Sequence, residues 1–539
     1  MTALSADPSQ VERLSCGALI ADSLLRHGVE VIFGIPATHT LAIYEYLARS
    51  PIRHVTPRHE QGAGYAADAY ARATGNPGVC VVTTGPALMN IAAAAGTAYH
   101  DSVPVLLISP GMPTLRNGRD TGFLHEMKNQ SGALANIVAW SWRVESLEEA
   151  GRAIAAAFEH FATQRPRPVH VEIPLDILNS AEVAAPASVY RPRPADAPDQ
   201  GQIDAAARHL RASGAPALLV GGGAVDAADA VVALAERLDA VVLTTCNGKG
   251  VVPESHPLTL GAGLRLEAAR SLLCESDVVL AIGTEIAESD LWVERLELPG
   301  ELVRVDIDEQ QLQKNATSSA PILGRAGAVA QELLRALGPG PQRVGTPGAV
   351  RAAATREVLL LAREADGAPF AELHRQLRDV LADDAIVTGD SAQVSYYGTV
   401  HYFPMSRPRQ FLYPAGFATL GYGLPAAVGA KVAFPEREVV CVMGDGGLMF
   451  TISELATAVE NRLALPIVIF NNGGYKEIKD EMLARGFEPL GVDLLAPDFP
   501  GLARAFGGHG VRLAGLTGFT DAVRSALAAD VPTLIEVLG

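Results

Sequence analysis

The stretch VVCVMGDGGLMFTISELATAVENRLALPIVIFNNGGYKEIKD, Val439 to Asp480, admits few folds. Its opening run, Val439 to Met443, is continuously apolar and suits a parallel strand buried on both faces. The run breaks at Gly444-Asp445-Gly446-Gly447, a turn that brings one carboxylate to the strand's carboxyl end. A helical pattern follows from Ile452 to Arg462, then a second buried strand, Ile467 to Phe470, which ends in Asn471-Asn472-Gly473-Gly474. In a βαβ unit with a right-handed crossover, both turns open on the same edge of the sheet. Asp445 and Asn472, 27 positions apart, are therefore expected to meet.

A carboxylate, an amide oxygen and a backbone carbonyl make a hard oxygen site suited to magnesium or calcium. Magnesium keeps water and phosphate among its ligands. The glycines around Asp445 leave N–H groups free for phosphate oxygens, ahead of a helix N-terminus that favours anions. The unit reads as a device for a magnesium diphosphate. Taken singly, GDG is a plain turn and NNGG a plain loop; it is their joint position at neighbouring strand ends that makes a site.

GDG followed at this distance by NN resembles the thiamine-diphosphate signature of the acetohydroxyacid synthase and pyruvate decarboxylase superfamily. The resemblance implies that Asp445 and Asn472 are side-chain ligands of the metal and that Gly474 supplies a backbone carbonyl. It sets Gly444, Gly446 and Gly447 around the diphosphate.

At 539 residues the chain has room for about three domains. A hydrophobic content of 48% with 19% charged residues fits a large α/β enzyme and not a disordered chain. The formal net charge of −17 argues against nucleic acid or an anionic membrane as partner. Cys16, Cys80, Cys246, Cys274 and Cys441 fall at no metal spacing and read as reduced core residues of a cytosolic protein. The opening MTALSADPSQ lacks signal-peptide regions, and no apolar run approaches a membrane span. A cytoplasmic location is expected.

Ser15 to His27 reads as an amphipathic helix, and Val31–Phe33, Val79–Thr83, Val103–Ser109 and Val169–Ile173 read as strands with helices between them. That alternation implies a doubly wound parallel sheet over residues 1–180. The small residues of the helix GYAADAYARATG would let a second subunit or domain approach closely. A glutamate opening a helix ordinarily just complements its dipole. Here the whole string RHEQGAGYAADAYARATG resembles the family's pyrimidine-domain motif, which gives Glu60 a role. Its carboxylate, hydrogen-bonded to the aminopyrimidine, would favour the imino tautomer that takes the thiazolium proton. In the family this glutamate and the diphosphate site come from different subunits, so a homodimer or homotetramer is implied.

His39 in GIPATHTL and His125 in TGFLHEMKNQ lie in segments that correspond to active-site loops of the family. Each is a catalytic candidate; the plain alternative is an exposed loop histidine. The paired histidines of pyruvate decarboxylase and the loop strings of acetohydroxyacid synthase are absent. GIP-x-x-HTL, LHEMKNQ and GTEIAESD together look closest to the 5-guanidino-2-oxopentanoate decarboxylase branch.

Residues 179–200 and about 338–366 read as linkers around a middle Rossmann-like domain, 200–338, with the third domain running over 366–539. The middle domain's expected strands are Ala217–Val220, Val241–Thr244, Val278–Ile282 and Leu302–Asp306. Gly221-Gly222-Gly223 lacks the spaced dinucleotide fingerprint. The strings that accompany FAD in acetohydroxyacid synthases are replaced by GAGLRLEAAR and GTEIAESDLW, so FAD is not expected. In the third domain, Asp390 and Ser391 resemble a segment that touches the diphosphate. Leu420 falls where a bulky side chain wedges between the cofactor's rings, a position usually methionine in the synthases. Ala418 would offer its carbonyl to the exocyclic amine.

The resemblance implies that cofactor and 2-oxo acid form a covalent adduct that loses carbon dioxide. The resulting enamine meets either a proton, in a decarboxylase, or a second carbonyl, in an acetolactate synthase-like carboligase. A catalytically inactive homologue would have lost Glu60 or the metal residues, and both are present. A guanidinium-tailed substrate calls for carboxylates in a water-poor place. Candidates are Glu126, Glu285, Glu288, Asp290 and Glu477; the last, three residues beyond Gly474, is expected in the first turn of a helix that starts at the cofactor.

Overall fold

The computed structural model describes residues 15–180, 189–191, 197–340 and 345–539. It divides into two compact units, residues 1–193 and 194–539. The expected first linker overlaps 181–188 and 192–196, outside the described residues.

In the first unit the apolar runs become β1 (Val31–Gly34), β2 (Arg53–Val55), β3 (Gly78–Val81), β4 (Val105–Gly111), β5 (Trp140–Arg143) and β6 (Val169–Pro174). They form one sheet in the order β2-β1-β3-β4-β6-β5, every pairing parallel. Strands β1, β3, β4 and β6 are buried along their whole length, as expected of a sheet covered by helices on both faces. Side-chain caps start several of those helices, among them Ser15, which accepts from the Ala18 amide, and Ser146, which accepts from that of Glu149. The small residues of helix Glu60–Thr74 serve this unit itself. A Cβ on Gly64 would stand 2.4 Å from that of Ala94, so the helix is pressed against Ala92–His100.

The second unit holds two further all-parallel sheets. The first contains β7 (Ala217–Val220), β8 (Val241–Thr244), β9 (Thr259–Gly261), β10 (Val278–Ile282), β11 (Glu301–Asp306) and β12 (Ala320–Leu323), in the order β12-β11-β10-β7-β8-β9. Reversed, that is the 3-2-1-4-5-6 order of dinucleotide-binding folds. The second contains β13 (Ile386–Gly389), β14 (Phe411–Leu412), β15 (Val439–Gly444), β16 (Pro466–Asn471), β17 (His509–Leu513) and β18 (Thr533–Leu538). Its order, β14-β13-β15-β16-β18-β17, repeats that of the first unit's sheet strand for strand. The three sheets with their interleaved helices make a doubly wound α/β architecture repeated three times.

Two expectations about local structure need correction. Residues 348–366, expected to be linker, form the first part of a 33-residue helix, Gly348–Val380, with Pro369 inside it. Leu359 joins the core of the middle sheet, whereas Phe370, Leu373 and Leu377 join the core of the last sheet. Because its apolar residues serve two cores in succession, the helix carries no single continuous stripe in sequence. The helix after β15 begins at Asp445 itself and runs to Thr451; a second, Glu454–Glu460, continues the direction.

Candidate active site

In an open parallel sheet, ligands bind beyond the carboxyl ends of the strands where the strand order reverses. In the last sheet that point lies between the neighbours β13 and β15. Asp390 directly follows β13, Asp445 starts the helix after β15, and Asn472 follows β16. A cavity of ≈310 Å³ opens here, and its walls include Ser391, Ala418, Leu420, Gly444, Asp445, Gly446, Gly447, Asn472, Gly474 and Glu477. Ten candidate residues from four sequence segments thus share one space.

Asp445 is 4% exposed, and its buried Oδ1 has no hydrogen-bond partner. Burial pushes its carboxyl upward, against the opposing pull of backbone amides at Gly446, Asp445, Asn472 and Gly474. A cation there would reverse the burial penalty. The Gly474 carbonyl oxygen lies 3.5 Å from where a Cβ on Gly446 would be, so the carbonyl does approach the GDG turn. Gly474 has φ +137, and a Cβ on it would strike the Val492 carbonyl at 2.1 Å; only glycine serves. Among the described residues no group of three or more His, Cys, Asp or Glu side chains could hold a metal ion. The donor set of one carboxylate, one amide and one carbonyl fits magnesium, which draws its other ligands from phosphate and water.

Asp390 is placed differently from the other candidates. It does not line the cavity; it is fully buried, accepting from the Gly421 amide at 3.0 Å and the Tyr422 amide at 3.2 Å. Burial pushes its carboxyl up to about 6, partly offset by the amides of Gly421, Ser391 and Tyr422. It thereby fixes the turn that carries Ala418 and Leu420. Ala418 holds φ +50, a left-handed conformation that costs a residue with a Cβ about 1–2 kcal/mol. Such strain is often found where a backbone group is aimed at a ligand.

Glu477 sits in the first turn of helix Lys476–Ala484. Its Oε2 accepts from Gln393 Nε2 at 2.8 Å and its Oε1 from the Tyr397 hydroxyl at 2.9 Å. Both donors are neutral and lie on the segment after β13; they are site residues that sequence reading did not single out. Of the five acids considered for a cationic tail, only Glu477 lines the cavity. Glu126 is used locally, its carboxyl held low by the Phe123 amide and then those of Thr121 and Gly122. Asp290 accepts from the Cys246 amide, beside a small separate cavity that Arg265 also lines. Glu288 is exposed in helix Glu288–Leu291, and Glu285 lies outside the large cavity.

The first unit carries its own cluster, at the equivalent reversal point between β1 and β3. Glu60 opens its helix and accepts from Asn90 Nδ2 at 2.9 Å. His39 Nδ1 lies 2.5 Å from Thr84 Oγ1, and its ring meets that of His125 edge-on at 5.2 Å. Burial, and then the nearby His125, push the His39 imidazole toward its neutral form. His125 holds φ +62, and its buried Nδ1 has no partner. Asn90 and Thr84, 30 and 45 positions from their partners, had no local sequence signal.

At the reversal point of the middle sheet, between β7 and β10, Gly221 and Gly223 are closed against the neighbouring loop. A Cβ on Gly221 would meet the Gly283 carbonyl oxygen at 2.3 Å, and the Gly223 amide donates to that oxygen at 3.0 Å. These glycines are needed for backbone approach to backbone. Among the described residues no helix is long and apolar enough to cross a membrane, and no cysteine is paired.

Known proteins resemble the chain over most of its length. The chain matches the thiamine pyrophosphate enzyme N-terminal TPP binding domain over residues 14–133, the central domain over 203–333 and the C-terminal TPP binding domain over 393–537. It is 43% identical over 509 residues to a probable 2-ketoarginine decarboxylase of Pseudomonas aeruginosa, covering 93% of this chain and 90% of that protein. A probable acetolactate synthase large subunit of Methanocaldococcus jannaschii is 32% identical over 96% of this chain and 91% of its own length. The acetolactate synthase isozyme 1 large subunit of Escherichia coli is 31% identical over 87% and 84%. With all three domain types in order and two of its reversal points furnished with candidate groups, the chain belongs to the thiamine pyrophosphate enzymes, a family that includes 2-oxo acid decarboxylases and acetolactate synthases.

Proposed function

We propose that this enzyme is a thiamine-diphosphate- and magnesium-dependent decarboxylase of a 2-oxo acid with a cationic tail, 5-guanidino-2-oxopentanoate (2-ketoarginine). The observation that carries this reading is Glu477, a carboxylate in the wall of the cofactor cavity that is held by the neutral donors Gln393 and Tyr397. Similarity to the Pseudomonas 2-ketoarginine decarboxylase supports it. Bound thiamine diphosphate supplies a carbon nucleophile and an electron sink for loss of carbon dioxide.

This chain's residues supply the rest. Asp445, Asn472 and the Gly474 carbonyl hold magnesium, and Gly444, Gly446 and Gly447 let the backbone approach the diphosphate, with Ser391 beside it. Leu420 and the Ala418 carbonyl hold the cofactor's rings. Glu60 exchanges a hydrogen bond with the pyrimidine. His39 and His125 hold or move the proton that ends a decarboxylation, with the neutral form of His39 favoured by its surroundings. FAD is not part of this reading. The active unit is a homodimer or homotetramer. Exposed apolar side chains next to each cluster support this: Leu41, Met89 and Leu124 in the first unit, Phe417, Met449 and Phe450 in the second.

The second reading, an acetolactate synthase-like carboligase, is favoured by the similarity to the synthases. Incubation with the guanidino acid, with pyruvate, and with both, followed by product identification, separates the two. The guanidino acid alone is expected to give carbon dioxide and 4-guanidinobutanal. Acetolactate from pyruvate, with the guanidino acid untouched, overturns the decarboxylase reading.

A further inference from the structure

One short segment of the first unit touches every candidate catalytic group there. Thr84 reaches His39. Gly85, φ +67, lies so close to His125 that a Cβ would stand 2.5 Å from its carbonyl oxygen. Asn90, the last residue of helix Pro86–Asn90, donates to Oε2 of Glu60. The segment is fixed at its start by Gln130, which is 5% exposed. Its Oε1 accepts from the Gly85 amide at 2.9 Å, and its Nε2 donates to Ser109 Oγ at 3.0 Å and the Pro110 carbonyl at 2.8 Å.

Asn90 is the member of this segment that the fold does not need. It is exposed, yet its amide is spent on one oxygen of Glu60. We infer that Asn90 is a positioning residue for Glu60, holding Oε2 so that Oε1 alone is left to exchange a proton or hydrogen bond. The inference rests on the proposed role of Glu60 toward the pyrimidine.

The test uses the full-length enzyme and its Asn90→Ala, Asn90→Asp and Glu60→Gln variants. One readout is hydrogen–deuterium exchange at the thiazolium carbon of bound cofactor across pH. The other, independent of turnover, is proton uptake on thiamine diphosphate binding, by calorimetry in buffers of different ionisation enthalpy. Asn90→Ala is expected to slow exchange about tenfold, the scale of one hydrogen bond to a charged group. Asn90→Asp sets a second carboxylate beside Glu60, so proton uptake should extend to higher pH. Thermal midpoints should stay near wild type, because Asn90 is exposed. If Glu60→Gln slows exchange while both Asn90 variants keep wild-type exchange and uptake profiles, Asn90 has no positioning role and the role of Glu60 stands. If Glu60→Gln exchanges at the wild-type rate, the role of Glu60 falls and this inference with it.

Discussion

A Cβ on Gly447 would stand 2.1 Å from Oδ2 of Asp390, so these residues, on the segments following adjacent strands, fit together only because one has no side chain. The contact joins the GDG turn to the carboxylate that holds the Gly421 and Tyr422 amides. Gly447→Ala should therefore destabilise the enzyme by about 1–3 kcal/mol, the usual range for overpacking a filled interior. In an Asp390→Ala background the same change should cost far less, because the obstructing oxygen is gone. Denaturant unfolding of the four proteins gives the coupling. Equal costs in both backgrounds would show that Gly447 is constrained by something other than Asp390.

Asp390 also makes a prediction about pH. Its carboxyl is raised from 3.8 to about 6 in the folded protein, so the protonated form is the one folding favours. The associated stability is fully present below the unfolded value and is lost as pH rises through about 6. A rise of that size corresponds to about 3 kcal/mol. Relative to Asp390→Asn, the cofactor-free wild type should lose stability between about pH 4 and 6.5 and run parallel above that. Curves parallel over the whole range would place this carboxyl's titration elsewhere.

The inner strands were legible in sequence because they are buried on both faces and so appear as unbroken apolar runs ended by glycine turns, whereas the half-exposed strands β2, β5 and β17 carry no such run and were not read. The same property made Asp445 and Asn472 recognisable, since both follow such runs directly. Two kinds of feature were hidden. The helix starting at Asp445 opens on two glycines, whose poor helix propensity is overridden by the βαβ context. Contacts between distant segments, Asn90 with Glu60 or Gln393 and Tyr397 with Glu477, follow from strand order, which no local pattern encodes. Asp390 shows the limit from the other side: a strand-end aspartate reads as a ligand-facing group, whereas this one faces inward and orders the turn that carries Ala418 and Leu420.

Glu477 carries the substrate prediction. Its carboxylate is oriented by Tyr397 and Gln393, but neither neutralises it, so a cationic substrate group would find a pre-placed counter-charge. Glu477→Gln keeps the shape and removes the charge. Losing one partner of a desolvated charge pair typically costs about 2–5 kcal/mol, so kcat/KM for the guanidino acid should fall at least about tenfold more than for a neutral 2-oxo acid of equal length. Removing the Tyr397 hydroxyl, in Tyr397→Phe, should lower the same ratio by a smaller factor, since it loosens the carboxylate without discharging it. An equal loss on both substrates in Glu477→Gln would instead assign the carboxylate to a step common to all substrates, such as the final protonation. Unchanged kinetics on both would remove Glu477 from the site.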